Sequence, residues 1–262
     1  MGPPGDAPHR DDLGGSLPAI DDGGVTMRNA LTIARRELVA YFTSPIAYVV
    51  TAAFLAISGY LFAAILNLTR EATLRYLFGN LMVILLFVGP LLTMRLLAEE
   101  QRSGTIELLL TAPVRDWEVV LGKFLASLSL FLLILALTLY YPFILARFGE
   151  PDLQATAAGY LGLLLFGSSI LSIGLFTSAL TRNQIVAAIL GVGLGLILWL
   201  IDAVGNFFGP PIAGVLDYLS LNQHFNDFTR GVVDSRDVIY YLSVIVAGIF
   251  LATRVLETRR WR

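Results

Sequence analysis

Apolar residues run along this chain in six long blocks, separated by short clusters of charge. Windows free of Asp, Glu, Lys and Arg cover residues 38–69, 76–94, 124–146, 153–181, 183–201 and 238–253. A membrane-crossing helix needs about 20 apolar residues, somewhat fewer where flanking cations can snorkel to the interface. Five windows meet that length easily. The sixth, "VIYYLSVIVAGIFLAT" with Arg254 at its end, suits a short span. The pattern predicts an all-α, polytopic membrane protein with six transmembrane helices.

The polar stretches between the blocks are not uniform. Before the first span, "MRNALTIARRELVAYFTSP" places Leu31, Ala34, Leu38 and Tyr41 or Phe42 on one helical face, with Arg28, Thr32, Arg35 and Arg36 mostly opposite. That pattern predicts an N-terminal interfacial helix with its arginines toward anionic headgroups. The competing reading is a first span that simply begins early. Ser44-Pro45 breaks the helix and turns the chain into the bilayer. Residues 95–123 connect the second and third spans. Within them Ser103, Gly104 or Thr105 can cap a new helix, "TIELLLTA" gives it one or two turns, and Pro113 stops it. Ile106, Leu109 and Leu110 form its apolar edge, opposite Glu107 and Thr111. So short a helix has little intrinsic stability in water and must dock on something: its own interfacial helix, the lipid surface, or a partner. Residues 203–237 mix aromatics with charge. Phe207, Phe208, Tyr218, Phe225 and Phe228 suit an aromatic belt, while Asp217, His224, Asp227, Arg230, Asp234, Arg236 and Asp237 pair or face water. This segment reads as an outer lid, with a substrate gate as the second reading.

Composition agrees with a membrane protein: 56% hydrophobic, 15% charged, mean hydropathy +0.74. The first 26 residues, "MGPPGDAPHRDDLGGSLPAIDDGGVT", read as a disordered acidic tail without a signal-peptide layout, ahead of a transmembrane domain at 27–262. A second reading starts translation at Met27. With the N-terminus inside, the inner segments hold Arg28, Arg35, Arg36, Arg95, Arg102, Arg115, Lys123, Arg182, Arg254, Arg259, Arg260 and Arg262. The outer ones hold Arg70, Arg75, Arg147, Arg230 and Arg236. That asymmetry puts both termini in the cytoplasm of a multi-pass protein of the cell (plasma or inner) membrane.

Several chemistries are argued against. A net charge of −2 gives no footing for nucleic acid, and the absence of Cys removes thiol chemistry and disulfides. No window carries a charged residue at midspan, where a proton- or sodium-driven carrier normally shows one. Asp202 and Arg95 sit at span ends and read as interfacial anchors. Lys123, the sole lysine, is followed by Phe124 and has Trp117 where a phosphate loop needs its first glycine. "GVGLG" at 191–195 lacks the third glycine of a dinucleotide fingerprint. Instead Ala187, Gly191 and Gly195 form a small-residue strip for helix packing, within or between chains. His9 and His224 make no zinc pair, and His224 falls outside the membrane, away from a serine such as Ser168. "NLT" at 67–69 is a weak glycosylation match.

Residues 98–124, "AEEQRSGTIELLLTAPVRDWEVVLGKF", resemble the inner loop of ABC-2-type transporter permeases, and most nearly those of the gliding-motility-type branch. "ARRELVAYFTSPIAYVV" and "LSLNQHFNDFTRGVVDSRDVIYY" extend the resemblance over roughly 27–258. It implies a six-helix permease driven by a separate ABC ATPase subunit. The short inner helix would be a cytoplasmic coupling helix seated in a cleft of that subunit. Carried across, Glu99, Glu100, Arg102, Gly104, Thr105, Glu107, Leu108 and Leu110 form the docking surface, and Pro113 sets the exit turn. ATP would be bound by the partner, leaving this chain without cofactor, metal or catalytic residues, and not an enzyme. A second permease chain, in a homo- or heterodimer, and membrane lipid complete the partners. The expected function is export. The alternatives are a non-transporting membrane scaffold coupled to an ATPase, and an ion-coupled carrier or channel.

Overall fold

The computed structural model describes residues 22–105, 114–205, 207 and 209–260. Among them are eleven helices and six apolar stretches long enough to cross a membrane. Helix α1 (Asp22–Thr43) ends at Ser44, which is extended at φ −92°, ψ 126°. The next residue, Pro45, opens α2 (Pro45–Thr69), because proline disfavours helical backbone before it yet fits the first helical turn. α2 closes on Arg70, in left-handed backbone at φ 53° with its N–H on the Leu66 carbonyl.

α3 (Arg75–Thr93) and α4 (Arg95–Ser103) form one 29-residue apolar track, jointed at Met94, one turn after Pro90, and α4 stops at Gly104 with φ +75°. Only glycine takes that backbone without strain. α5 (Asp116–Thr138) and α6 (Tyr140–Phe148) likewise make a single track, jointed at Leu139. α7 (Leu153–Leu180) starts where Asp152 accepts hydrogen bonds from the N–H groups of Gln154 and Ala155. After α8 (Gln184–Gly205), two short helices, α9 (Pro210–Leu219) and α10 (Leu221–Thr229), lead into α11 (Ser235–Arg260).

α7 is the central post: 78% of its most apolar stretch is buried, against 11% for α2 and 17% for α8 at the periphery. Close approach to α7 depends on small residues. A Cβ at Gly167 would overlap the Phe131 ring of α5, and one at Gly248 of α11 would overlap the Ser172 side chain. Two hydroxyls buried within α7 bond inside the helix, Ser169 to the Leu165 carbonyl and Ser172 to the Ser169 carbonyl, as apolar surroundings require.

The structure departs from the sequence reading at several points. The third span begins well before residue 124: α5 takes Asp116, Glu118 and Lys123 into its helix, all of them buried. Phe225 and Phe228 are not belt residues. They are buried against α7, where Gly162 faces both rings, while Phe207 and Tyr218 stay exposed. On α1 the buried face is Ala30, Ala34 and Tyr41, packed on α5, whereas Leu31 and Phe42 are exposed. The apolar face predicted for α1 is thus split between protein and surroundings. Helix α1 also starts at Asp22, within the segment that the sequence assigns to the tail.

Candidate functional site

The site is built where α1, α4 and α5 meet. α4 is amphipathic over a short length, with Leu96, Leu97 and Ala98 buried and Glu99 and Arg102 exposed. It has no local N-cap; the preceding Met94 is helical and follows Pro90. Ser178 of α7 takes that role from a distance. Its Oγ accepts from the N–H of Leu97 (3.1 Å) and of Ala98 (3.0 Å) and donates to the Met94 carbonyl at 2.8 Å. Gln101 adds a bond from Nε2 to the Ala179 carbonyl at 2.9 Å. α4 is therefore fastened at both ends to the last turn of the central post.

On the other side of α4, Glu100 turns inward. Lys123 Nζ lies 2.8 Å from Glu100 Oε1 and 2.9 Å from Glu37 Oε1, joining α5 to α4 and α1. The lysine side chain is only 1% exposed and the two carboxylates 15% (Glu37) and 13% (Glu100). Ion pairs so enclosed lose much of their solvation, so removing one member leaves an uncompensated buried charge. Arg36 approaches Glu100 Oε1 at 3.9 Å from solvent. Glu100 Oε2 and Gln101 Oε1 are buried without hydrogen-bond partners.

Two further contacts brace this hub. Glu118 is buried, accepting from the Arg115 N–H at 3.0 Å and from Asn29 Nδ2 at 3.4 Å. Arg95 reaches back to the α1–α2 break, donating to Ser44 Oγ at 2.8 Å, with its guanidinium carbon 4.9 Å from the centroid of the Tyr41 ring. The Tyr41 hydroxyl donates to the Leu92 carbonyl at 2.6 Å. Burial pushes that hydroxyl far above the ordinary tyrosine range, and nearby Arg95 only partly offsets it, so it acts as a neutral donor. Beside these contacts lies a cleft of about 360 Å³, lined in part by Arg36, Glu99, Glu100, Ser103 and Lys123.

Of the residues expected to form the docking surface, Glu99, Arg102, Gly104 and Thr105 are exposed at the end of α4. Glu100 is committed to the lysine instead. Glu107, Leu108, Leu110 and Pro113 lie outside the described residues. The small-residue strip packs within the chain: Ala187, Gly191 and Gly195 are buried, Gly191 against Pro90 and Thr177, and Gly195 against Leu86 and Ile170. Sequence reasoning missed the hub because its members are far apart in the chain. The available signal was the single lysine among arginines, at the mouth of a span. It also missed the specific tie of His224, whose Nδ1 is 2.7 Å from Asp237 Oδ1 and whose ring stacks on Tyr240 at 3.9 Å.

A family model described as an ABC-2 family transporter protein matches residues 39–220, well over half of the chain. No functionally curated protein matches the sequence.

Proposed function

The chain belongs to the ABC-2 family of transporter proteins, and from that premise we propose that its permease fold is driven by a separate ATPase subunit seated on residues 99–113. The family membership and the six apolar helices make it an ABC transporter permease and a multi-pass membrane protein. Beyond that, the carrying observation is mechanical. The segment that leaves α4 at Gly104 is rooted in an element fastened to the central post by Ser178 and to two other helices by Lys123. A push on this segment is passed to α1, α5 and α7 together rather than lost in a slack loop. ATP-driven closure of two partner subunits would so become movement of membrane helices.

In this reading Glu99, Arg102, Gly104 and Thr105, followed in sequence by Glu107, Leu108 and Leu110, form the docking surface, and Pro113 sets the exit turn that the family resemblance implies. An apolar edge flanked by charge suits a cleft in which burial gives affinity and ion pairs give register. Two such chains, with the termini and the 99–113 segment in the cytoplasm, complete a transporter of the plasma or inner membrane. In this reading the direction is export, and the resemblance of three segments supports the gliding-motility-type branch.

The test is a pull-down of the tagged chain from its native cells in mild detergent, with mass spectrometry of what accompanies it. The expected result is recovery of a P-loop ATPase, lost on Leu110→Asp and weakened by Glu107→Arg, while both variants still insert in the membrane. A preparation free of ATPase, or equal recovery with both variants, overturns the proposal.

A further inference from the structure

Between α2 and α5 runs an apolar groove of about 380 Å³ that no part of the described chain fills. Leu130, Leu133 and Leu137 form one wall, and on the α2 side the small residues Thr51 and Ala52 leave room. Its floor is the α1–α2 junction, where Phe42 and Tyr48 line it and the Tyr48 hydroxyl donates to the Phe42 carbonyl at 2.9 Å. Both walls belong to membrane-spanning helices, so the groove opens on hydrocarbon rather than water.

The floor leads to positive charge. Arg35 stands two turns before Phe42 on α1, nearly in line with it and about 10 Å away along the helix axis. Between them on the same side is exposed Val39, and one turn before Arg35 is exposed Leu31. Arg35 is exposed and has no ion-pair partner among the described residues. The separation between Arg35 and Phe42 is bridged by the glycerol backbone of a lipid together with the reach of a long arginine side chain, so a phosphate on Arg35 and an acyl chain in the groove can belong to one molecule.

We propose that the groove between α2 and α5 is a binding site for one acyl chain of an anionic phospholipid whose headgroup phosphate is held by Arg35. The site needs no second copy of the chain and no ATPase. It gives α1 a second attachment beside the Lys123 hub: a lipid seated there pins the α1–α2 junction from the bilayer side. Loss of the lipid leaves Phe42 and the leucine wall without contacts across the gap.

The test uses the full chain in nanodiscs of phosphatidylglycerol or phosphatidylcholine, followed by extraction and native mass spectrometry of retained lipid. The wild type is expected to hold one phosphatidylglycerol and to prefer it over phosphatidylcholine. Ala52→Trp, at an exposed position that fills the groove without disturbing the core, lowers retention about tenfold or more. Arg35→Gln abolishes the headgroup preference, and Ile57→Trp, exposed on α2 away from the groove, changes neither. Retention in Ala52→Trp equal to wild type overturns the site; an unchanged headgroup preference in Arg35→Gln overturns the role of the arginine. Because the chain has no cysteine, Tyr48→Cys gives an independent arm. A disulfide between copies at that position in native membranes would mean that a second chain covers the groove, and the lipid assignment fails.

Discussion

The residue that most shapes this molecule is Lys123. Its ammonium is enclosed between two carboxylates contributed by helices 86 (Glu37) and 23 (Glu100) residues away in sequence. Replacing it with an apolar residue of similar length leaves Glu37 and Glu100 facing each other with little water. We expect Lys123→Met to destabilise the folded chain by about 3–5 kcal/mol, read as a lowered thermal unfolding midpoint in detergent. Adding Glu37→Gln and Glu100→Gln to that variant removes the stranded charges and should recover most of the loss. If the triple variant is as unstable as the single one, the lysine acts through packing of its stem rather than through its charge. Glu118 is different in kind: its carboxylate serves an N-terminal N–H at the start of α5, where a negative group also complements the helix dipole.

At the scale of elements, α4 shows how a helix too short to be stable alone is held in place. With a proline behind it and no local cap, its first N–H groups depend on Ser178 in another helix. Ser178→Ala should cost about 1–2 kcal/mol and speed hydrogen exchange at the Leu97 and Ala98 amides while α2 stays unchanged. Exchange that is uniform across the chain, or unaltered, would mean that Gln101 alone suffices. Much of the element plan was legible from sequence. Charge-free windows mark spans well because uncompensated charge is costly inside a bilayer, and Ser44-Pro45 marks the break between α1 and α2. The start of α5 was illegible for the same reason: Lys123 and Glu118 look like loop charges until partners from α1 and α4 are beside them. Phe225 and Phe228 misled in the other direction. Aromatic composition near a membrane surface suits a belt, but glycine at 162 opened a place for both rings in the core. Glu107 to Pro113, part of the proposed docking surface, lie outside the described residues.

For the whole molecule, the contacts between helix ends decide which segments share a side of the membrane. Gln101 bonds to the Ala179 carbonyl, Arg259 Nη2 to the Leu180 carbonyl at 2.9 Å, and Lys123 to Glu100, which gathers the ends of α4, α7 and α11 with the first turns of α5. The opposite ends carry the α2–α3 turn, the α6–α7 turn and the α9–α10 pair. From the arginine asymmetry we propose that the set containing Gly104 is the cytoplasmic one. A cysteine-free chain makes this directly measurable. Single Ser103→Cys and Thr258→Cys variants, both at exposed positions, should react with an impermeant maleimide only after the cells are opened. Val232→Cys, exposed at the other end, should react in intact cells. The reverse pattern would place residues 99–113 outside, beyond the reach of any ATP-hydrolysing partner. The ATPase-driven reading would then fail even though the fold, the hub and the family membership stood unchanged. Labelling as expected leaves the partner's identity as the next question, because the same geometry serves a transporter and a motion-transmitting scaffold. Substrate flux dependent on the ATPase separates those two.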